Sequence, residues 1–252
     1  MNGLRISLLI LFSLISVTGK AQFLDGGNGL LEMPTAEMEP SGTFMITNNF
    51  LNKHALPEAA WGYHTFGYGF SLSFWSRLEF RYNCTIFDGK RKPNPTERDL
   101  LMVNQDRHFC AKLLLFKEGD FGLSWAPSVA IGADDIDAGM FKPRQINGFF
   151  TRVYLVSSKH FQTPVGSFGA HMGYQFNKYS YYQPSGINVG VDWTPIWINS
   201  PDLSVKAIAE YNAKTFNVGF IASFWEDRFE AMFELMAFRW VNFGIRYKLL
   251  IK

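Results

Sequence analysis

Residues 186–248 alternate between apolar and polar side chains through five consecutive segments separated by short turns. In the last segment, the apolar members are Val241, Phe243, Ile245 and Tyr247, and the members between them are Asn242, Gly244, Arg246 and Lys248. A β-strand points successive side chains to opposite faces, so a period of two predicts strands. Because one face is aromatic and the other charged, the pattern predicts a barrel wall with an apolar outside and a polar lumen.

The same alternation recurs from residue 43 to the end of the chain. It predicts an all-β fold, a single antiparallel transmembrane β-barrel of about twelve strands spanning residues 43–252. Ten or fourteen strands remain open, because residues 134–145 fit no clear pattern. We expect the inward positions to place these polar residues along the lumen: Arg77, Glu79, Arg81, Lys112, Arg152, His171, Asp192, Lys206, Glu210, Arg228, Glu230, Glu234 and Arg246.

The N-terminus has the features of a secretory signal peptide over residues 1–21. Arg5 precedes an apolar run of residues 6–17, and Gly19 and Ala21 are the small residues expected before a cleavage site. The run is short for a membrane-spanning helix. We therefore expect export, and a mature protein in the outer membrane of a Gram-negative bacterium.

Residues 22–42 form a Gly- and Pro-rich segment that is poorly suited to a strand or a helix. Leu30, Leu31, Met33 and Met38 make it too apolar for a solvated linker. Two interpretations are equally open: a lead-in to the first strand, or a plug-like segment inside the barrel or against its rim.

Composition supports the barrel and excludes other classes. Aromatic residues make up 17% of the chain, and Phe alone occurs 25 times. So many large apolar side chains exceed what the interior of a soluble lipocalin-like barrel could hold. A net charge of +2 gives no indication of a nucleic-acid partner. Strand parity places Cys84 and Cys110 on opposite faces, so a disulfide would require a bulge.

Two stretches resemble the YjbH-like outer-membrane proteins. The first is residues 29–36 with residues 39–43, and its motif residues are Gly29, Met33, Pro34, Thr35, Ala36, Pro40 and Gly42. The second comprises the short strand motifs of the C-terminal half, at residues 190–195, 203–207, 210–212 and 216–220. The resemblance implies a barrel associated with exopolysaccharide production and export. It implies contact with membrane lipid and lipopolysaccharide, and with exopolysaccharide and other export-system proteins.

Little in the sequence points to chemistry. His171 is expected to face the lumen, where Ser158, Asn188 or Ser204 could complete a nucleophilic site. An outer-membrane hydrolase of lipid or polysaccharide is therefore the alternative to a non-catalytic barrel. The other four histidines are scattered singly without metal-ligand spacing, and no Gly-rich phosphate loop opens a helix. We expect neither a metal nor a cofactor, and no enzymatic activity.

Overall fold

Twelve antiparallel strands close into one barrel in a computed structural model, which describes residues 26–57, 61–86, 105–136, 149–177 and 184–251. Each strand pairs with its neighbours in sequence, and the last pairs with the first. The predicted fold is confirmed. The signal-peptide prediction for residues 1–21 lies outside the described residues.

The strands are β1 Thr43–Leu51, β2 Thr65–Phe74, β3 Leu78–Ile86, β4 Gln105–Phe116, β5 Ser128–Asp134, β6 Arg152–Thr163, β7 Gly166–Phe176, β8 Gly186–Pro195, β9 Leu203–Asn212, β10 Phe216–Phe224, β11 Phe229–Met236 and β12 Trp240–Leu250. Short 3-10 turns occur at Lys53–Ala55, Asp120–Gly122 and Ile196–Ile198. None of the helices in the described ranges is long and apolar enough to cross a membrane.

The two faces of the wall are those expected from the alternation. In β12, Phe243 is 49% exposed on the outside, whereas Arg246 is 1% exposed on the inside. In β8, Val189 and Val191 face outward and Asp192 faces inward. The barrel therefore carries a continuous apolar outer surface around a charged interior, the reverse of a soluble protein.

The two ends of the barrel differ. The long-loop end carries the three longest connections, residues 52–64, 87–104 and 135–151. The short-turn end, opposite, carries tight turns at residues 75–77 and 225–228. Both ends of the described barrel chain lie at the short-turn end, where the Ile251 amide donates to the Gly42 carbonyl over 2.8 Å.

Residues 26–42, which we call the plug segment, run through the lumen and leave it at the short-turn end, where Pro40 and Ser41 are exposed. A bridge between Gly29 and Pro34 closes a small hairpin, and the Leu30 amide donates to the Met33 carbonyl over 2.9 Å. The hairpin tip packs into an apolar cluster at the long-loop end with side chains that include Trp61 and Phe150. Of the two interpretations of this segment, the plug-like segment inside the barrel matches its position in the structure.

The wall is shaped to receive the hairpin tip. Gly190 of β8 faces the lumen, and a Cβ added there would overlap Leu30 Cδ1 and lie 2.9 Å from Met33 Sδ. At Gly219 of β10, a Cβ would overlap the Phe233 carbonyl of the neighbouring strand, and Leu31 Cδ1 lies 3.1 Å from the same Cβ position. Glycine in a strand interior otherwise weakens the strand, so these positions serve close packing.

Cys84 and Cys110 do not form a disulfide. Cys110 of β4 faces the lumen near Asn83, whereas Cys84 of β3 faces outward beside the Tyr82 hydroxyl. The register without a bulge between β3 and β4 keeps them on opposite faces, as strand parity indicates.

The apolar tip should contribute to stability. We expect Leu31→Ala to lower the free energy of unfolding by about 2–5 kcal/mol, because Leu31 is fully buried and the change leaves a cavity. The matched control is Leu113→Ala, whose side chain is 43% exposed on the outer face. Denaturant unfolding of the detergent-folded protein measures both. Equal losses for the two variants would contradict this placement of the plug segment.

Candidate functional site in the barrel lumen

Most of the polar residues predicted to line the lumen are buried inside it. They are Glu79, Arg81, Lys112, Arg152, His171, Asp192, Lys206, Glu210, Glu230, Glu234 and Arg246. The barrel is not an empty polar tube, however. These side chains bind one another and the plug segment, so the candidate site is the lining together with the segment it holds.

Arg77 and Arg228 were predicted to face the lumen, and the structure places them elsewhere. Both are exposed and lie in tight turns one residue before β3 and β11 begin. Left-handed backbone at Trp75 and Ser76, and at Trp225 to Asp227, interrupts the extended geometry on which alternation depends. Arg77 instead contacts Asp120 at the barrel rim, with Nη2 to Oδ2 at 3.3 Å.

Lys112 of β4 binds the plug segment through backbone carbonyls. Its Nζ donates to Asn28 O at 2.8 Å, Glu37 O at 2.9 Å and Thr35 O at 3.3 Å. An ammonium carries three donors, so these three carbonyls use its full capacity. The contact holds the two arms of the hairpin to one point on the wall.

Glu210 of β9 binds the plug segment through backbone amides. Its carboxylate accepts from Leu31 N at 2.9 Å, Glu32 N at 2.8 Å and Met33 N at 3.3 Å. Three successive amides converging on one carboxylate form a small anion-binding concavity at the hairpin tip. Since β4 and β9 are separated by several strands in both directions around the barrel, the segment is held from two sides.

Two further wall residues bind the plug segment. Glu79 of β3 accepts from Asn28 Nδ2 at 2.5 Å, and Arg246 of β12 donates from Nη1 to Gly27 O at 3.3 Å. Five residues of the N-terminal motif are buried among these contacts: Gly29, Met33, Pro34, Thr35 and Ala36. The other two, Pro40 and Gly42, lie where the chain enters β1, and the Pro40 carbonyl accepts from Thr43 N.

Several of the remaining lumen charges form ion pairs, whereas Glu234 accepts a hydrogen bond from Asn242 Nδ2 at 2.6 Å. Asp134 joins Arg81 and Arg152, with Arg81 Nη2 to Oδ1 at 2.6 Å and Arg152 Nε to Oδ2 at 2.5 Å. Arg246 Nε lies 2.7 Å from Glu230 Oε2. Buried charges require such partners, because an isolated ion in a low-dielectric interior is very costly.

At the short-turn end, Lys248 forms ion pairs with three carboxylates. Its Nζ lies 2.7 Å from Asp227 Oδ2, 2.8 Å from Glu230 Oε1 and 3.2 Å from Glu39 Oε1. Asp227 lies in the β10–β11 turn. Burial acts to raise the pKa of its carboxyl, but the Lys248 charge and hydrogen bond outweigh that and lower it.

His171 of β7 lies between a hydroxyl and a carboxylate. Its Nδ1 is 2.8 Å from Ser158 Oγ of β6, and its Nε2 is 2.7 Å from Asp192 Oδ2 of β8. Of the hydroxyl and amide partners considered from the sequence, Ser158 is the one that the register places opposite His171. The three together have the order of a nucleophile, a base and an orienting acid. Ser158 Oγ also accepts the Ala36 amide of the plug segment at 2.9 Å.

His160 of β6 completes a group that spacing along the chain did not indicate. Its ring centroid is 5.8 Å from that of His171, and single donor atoms of His160, His171 and Asp192 lie within 4.8 Å of one another. The three residues come from three adjacent strands, so only the register between strands reveals them. The only signal in the sequence was that the alternation places each of the three on the inward face of its strand.

Comparison with known families identifies the chain. The model of the YjbH family, described as exopolysaccharide biosynthesis protein, matches residues 22–185, about two thirds of the chain. The strand pairing makes the protein a closed twelve-stranded β-barrel with a polar lumen and an apolar outer surface. It belongs to the YjbH exopolysaccharide biosynthesis protein family, and the resemblance noted from residues 29–43 is confirmed.

Other comparisons add little. No curated protein matches the sequence. Among solved structures, LpxR from Salmonella typhimurium is similar with a TM-score of 0.40 and 8% identity, covering 83% of this chain and 100% of that chain. The barrel assignment rests on the strand pairing of this chain and not on that loose similarity.

The buried ion pairs should matter more than those at the rim. We expect Arg81→Gln to destabilise the barrel by about 3–5 kcal/mol, because it leaves Asp134 and Glu79 buried with less compensation. Arg77→Gln, which removes the same charge from an exposed turn, should leave stability unchanged within error. Denaturant unfolding in detergent compares them. A larger effect at Arg77 would contradict the placement of the two arginines.

Proposed function

We propose that this protein is a plugged outer-membrane β-barrel that assists exopolysaccharide production, export or surface assembly without catalysing a reaction itself. Membership of the YjbH family supports the connection with exopolysaccharide. The observation that carries the proposal is the occupied lumen, in which residues 26–42 are held by Lys112 and Glu210.

The outer surface supports the membrane placement. Large apolar side chains such as Phe220, Phe243 and Val191 are exposed around the wall, and lipid is the environment in which such a surface is stable. In barrels of this kind the long loops face the outside of the cell. The long-loop end would then meet lipopolysaccharide and the polymer, and the short-turn end would meet periplasmic export partners.

The filled lumen favours an anchoring or assembly role over a conduit. A sugar chain could pass only if the plug segment left, and departure would break the contacts of Lys112, Glu210, Ser158 and Glu79 together. Charged and backbone groups left behind in a narrow lumen would lose their partners. The plugged state is therefore the working form in this proposal.

A cross-linked plug segment tests the proposal. In a deletion strain, we expect Ala36→Cys with Ser158→Cys, built on a Cys84→Ala, Cys110→Ala background, to restore exopolysaccharide yield as fully as the wild-type chain. The two positions are in contact through Ala36 N and Ser158 Oγ at 2.9 Å. Mass spectrometry verifies the disulfide, and the cysteine-free background is the matched control.

Loss of exopolysaccharide in the oxidised variant, with recovery after reduction, would show that the plug segment must move. A deletion strain whose exopolysaccharide equals that of its parent would remove the proposed role altogether.

A second candidate function, a hydrolase of lipid or polysaccharide, is favoured by the Ser158–His171–Asp192 arrangement. Two observations argue against a hydrolase. All three side chains are almost completely buried, and the Ala36 amide already donates a hydrogen bond to Ser158 Oγ. Nucleophilic catalysis requires the serine to reach a substrate carbonyl. The non-catalytic proposal therefore stands first.

An activity-based probe distinguishes the two functions. We expect a fluorophosphonate to leave Ser158 unlabelled in the detergent-folded protein, and Ser158→Ala to leave hydrolysis of phospholipid, lipopolysaccharide and exopolysaccharide at background. Ser71→Ala, which alters another buried inward serine, is the control. Labelling of Ser158, or hydrolysis that disappears in Ser158→Ala and persists in Ser71→Ala, would establish the hydrolase instead.

A further inference from the structure

The group formed by His160, His171 and Asp192 is a built recess in the wall. Gly169 of β7 pairs with both His160 and Asp192 in the strand ladder and faces the lumen. A Cβ at Gly169 would overlap Asp192 Oδ2 and lie 2.7 Å from His171 Nε2. The missing side chain is what allows the three donor groups to converge.

The donor set suits a transition-metal ion. Two imidazoles and a carboxylate are typical ligands of Zn²⁺ and of related divalent ions. Ser158 contacts the other ring nitrogen of His171, at 2.8 Å, as an outer partner that orients a ligating histidine. That partner is fixed in turn by the Ala36 amide.

The surrounding lysines leave one oxygen of each carboxylate facing the imidazoles. Glu118 uses Oε1 for Lys159 at 2.6 Å, while its Oε2 faces His160 Nδ1 at 3.1 Å. Asp192 has Lys206 Nζ at 3.9 Å from Oδ1, while its Oδ2 faces His171. The lysines thus contact the far oxygens, and the near oxygens point at the imidazoles.

A third carboxylate comes from the plug segment. Glu37 Oε1 lies 2.9 Å from His160 Nε2. Glu37, Glu118 and Asp192 carry three negative charges against the two positive charges of Lys159 and Lys206.

The recess is reachable from the short-turn end. The His160 side chain is 24% exposed and that of Glu118 is 26% exposed, whereas His171 and Asp192 are buried. A hydrated ion could therefore reach His160 first and exchange its water for the inner ligands.

We infer that His160, His171 and Asp192 bind one divalent transition-metal ion of the Zn²⁺ class. Such an ion would join β6, β7 and β8 next to Glu37 of the plug segment, whose Oε1 lies beside His160. The inference goes beyond the role in exopolysaccharide production and does not depend on it.

Metal titration tests the site directly. Chelator-treated, detergent-folded protein is titrated with ZnCl₂ by calorimetry, and CoCl₂ is followed by visible absorption. We expect one ion per chain, with X-ray absorption showing two imidazole ligands. His160→Ala should weaken Zn²⁺ binding by at least about tenfold. Removing only an outer hydrogen-bond partner of a metal ligand already costs about that much affinity, and His160 is itself a ligand.

The control separates this site from adventitious binding. His64→Ala removes an exposed histidine at the long-loop end and should leave Zn²⁺ affinity unchanged. Zn²⁺ should also raise the unfolding midpoint of the wild type but not of His160→Ala. Because His160 is partly exposed, its variants should fold even where changes at buried His171 do not, and His160→Gln keeps a polar side chain as a second variant.

Three results would overturn the inference: no Zn²⁺ uptake, unchanged affinity in both His160 variants, or an equal loss in His64→Ala.

Discussion

The structure depends on satisfying backbone polar groups inside a closed, narrow barrel. The wall strands pair all around, but the irregular plug segment has only one short bridge of its own. Unpaired amides and carbonyls in such a place are costly. The wall supplies what the segment lacks, a cation for its carbonyls at Lys112 and an anion for its amides at Glu210. The charged side chains of the lumen are thus complementary to one backbone conformation of the plug segment.

This constraint explains why the lumen is so highly charged. A lining that only filled space could be apolar, and buried ion pairs add little net stability compared with packed hydrocarbon. Side chains such as Lys112 and Glu210 gain by binding several backbone groups each, which an apolar residue cannot do. The apolar tip at Leu30 and Leu31 fits where small wall residues, Gly190 and Gly219, make room. Shape and charge therefore specify the same position for the segment.

The fold was largely predictable, because alternation over many residues reports which face each strand buries. Failures occurred where the backbone leaves the extended region: Arg77 and Arg228 share the parity of Glu79 and Glu230 but lie in left-handed turns. The location of residues 26–42 could not be predicted, since a Gly- and Pro-rich apolar segment has no periodicity. The contacts of His160 with His171 were also out of reach, because they depend on register between strands and not on spacing within one.

The plug segment has consequences for the order in which the protein assembles. Leu31 and Glu210 are 179 residues apart in sequence, and Gly27 and Arg246 are 219 apart. The segment is synthesised before any strand, yet its partners are complete only when β12 has joined β1. Contacts between such distant residues form late in folding, since the intervening chain must first be ordered. The complete set of plug contacts is consequently a sign that every strand is in place, because a chain without β12 would lack the contact of Arg246 with Gly27.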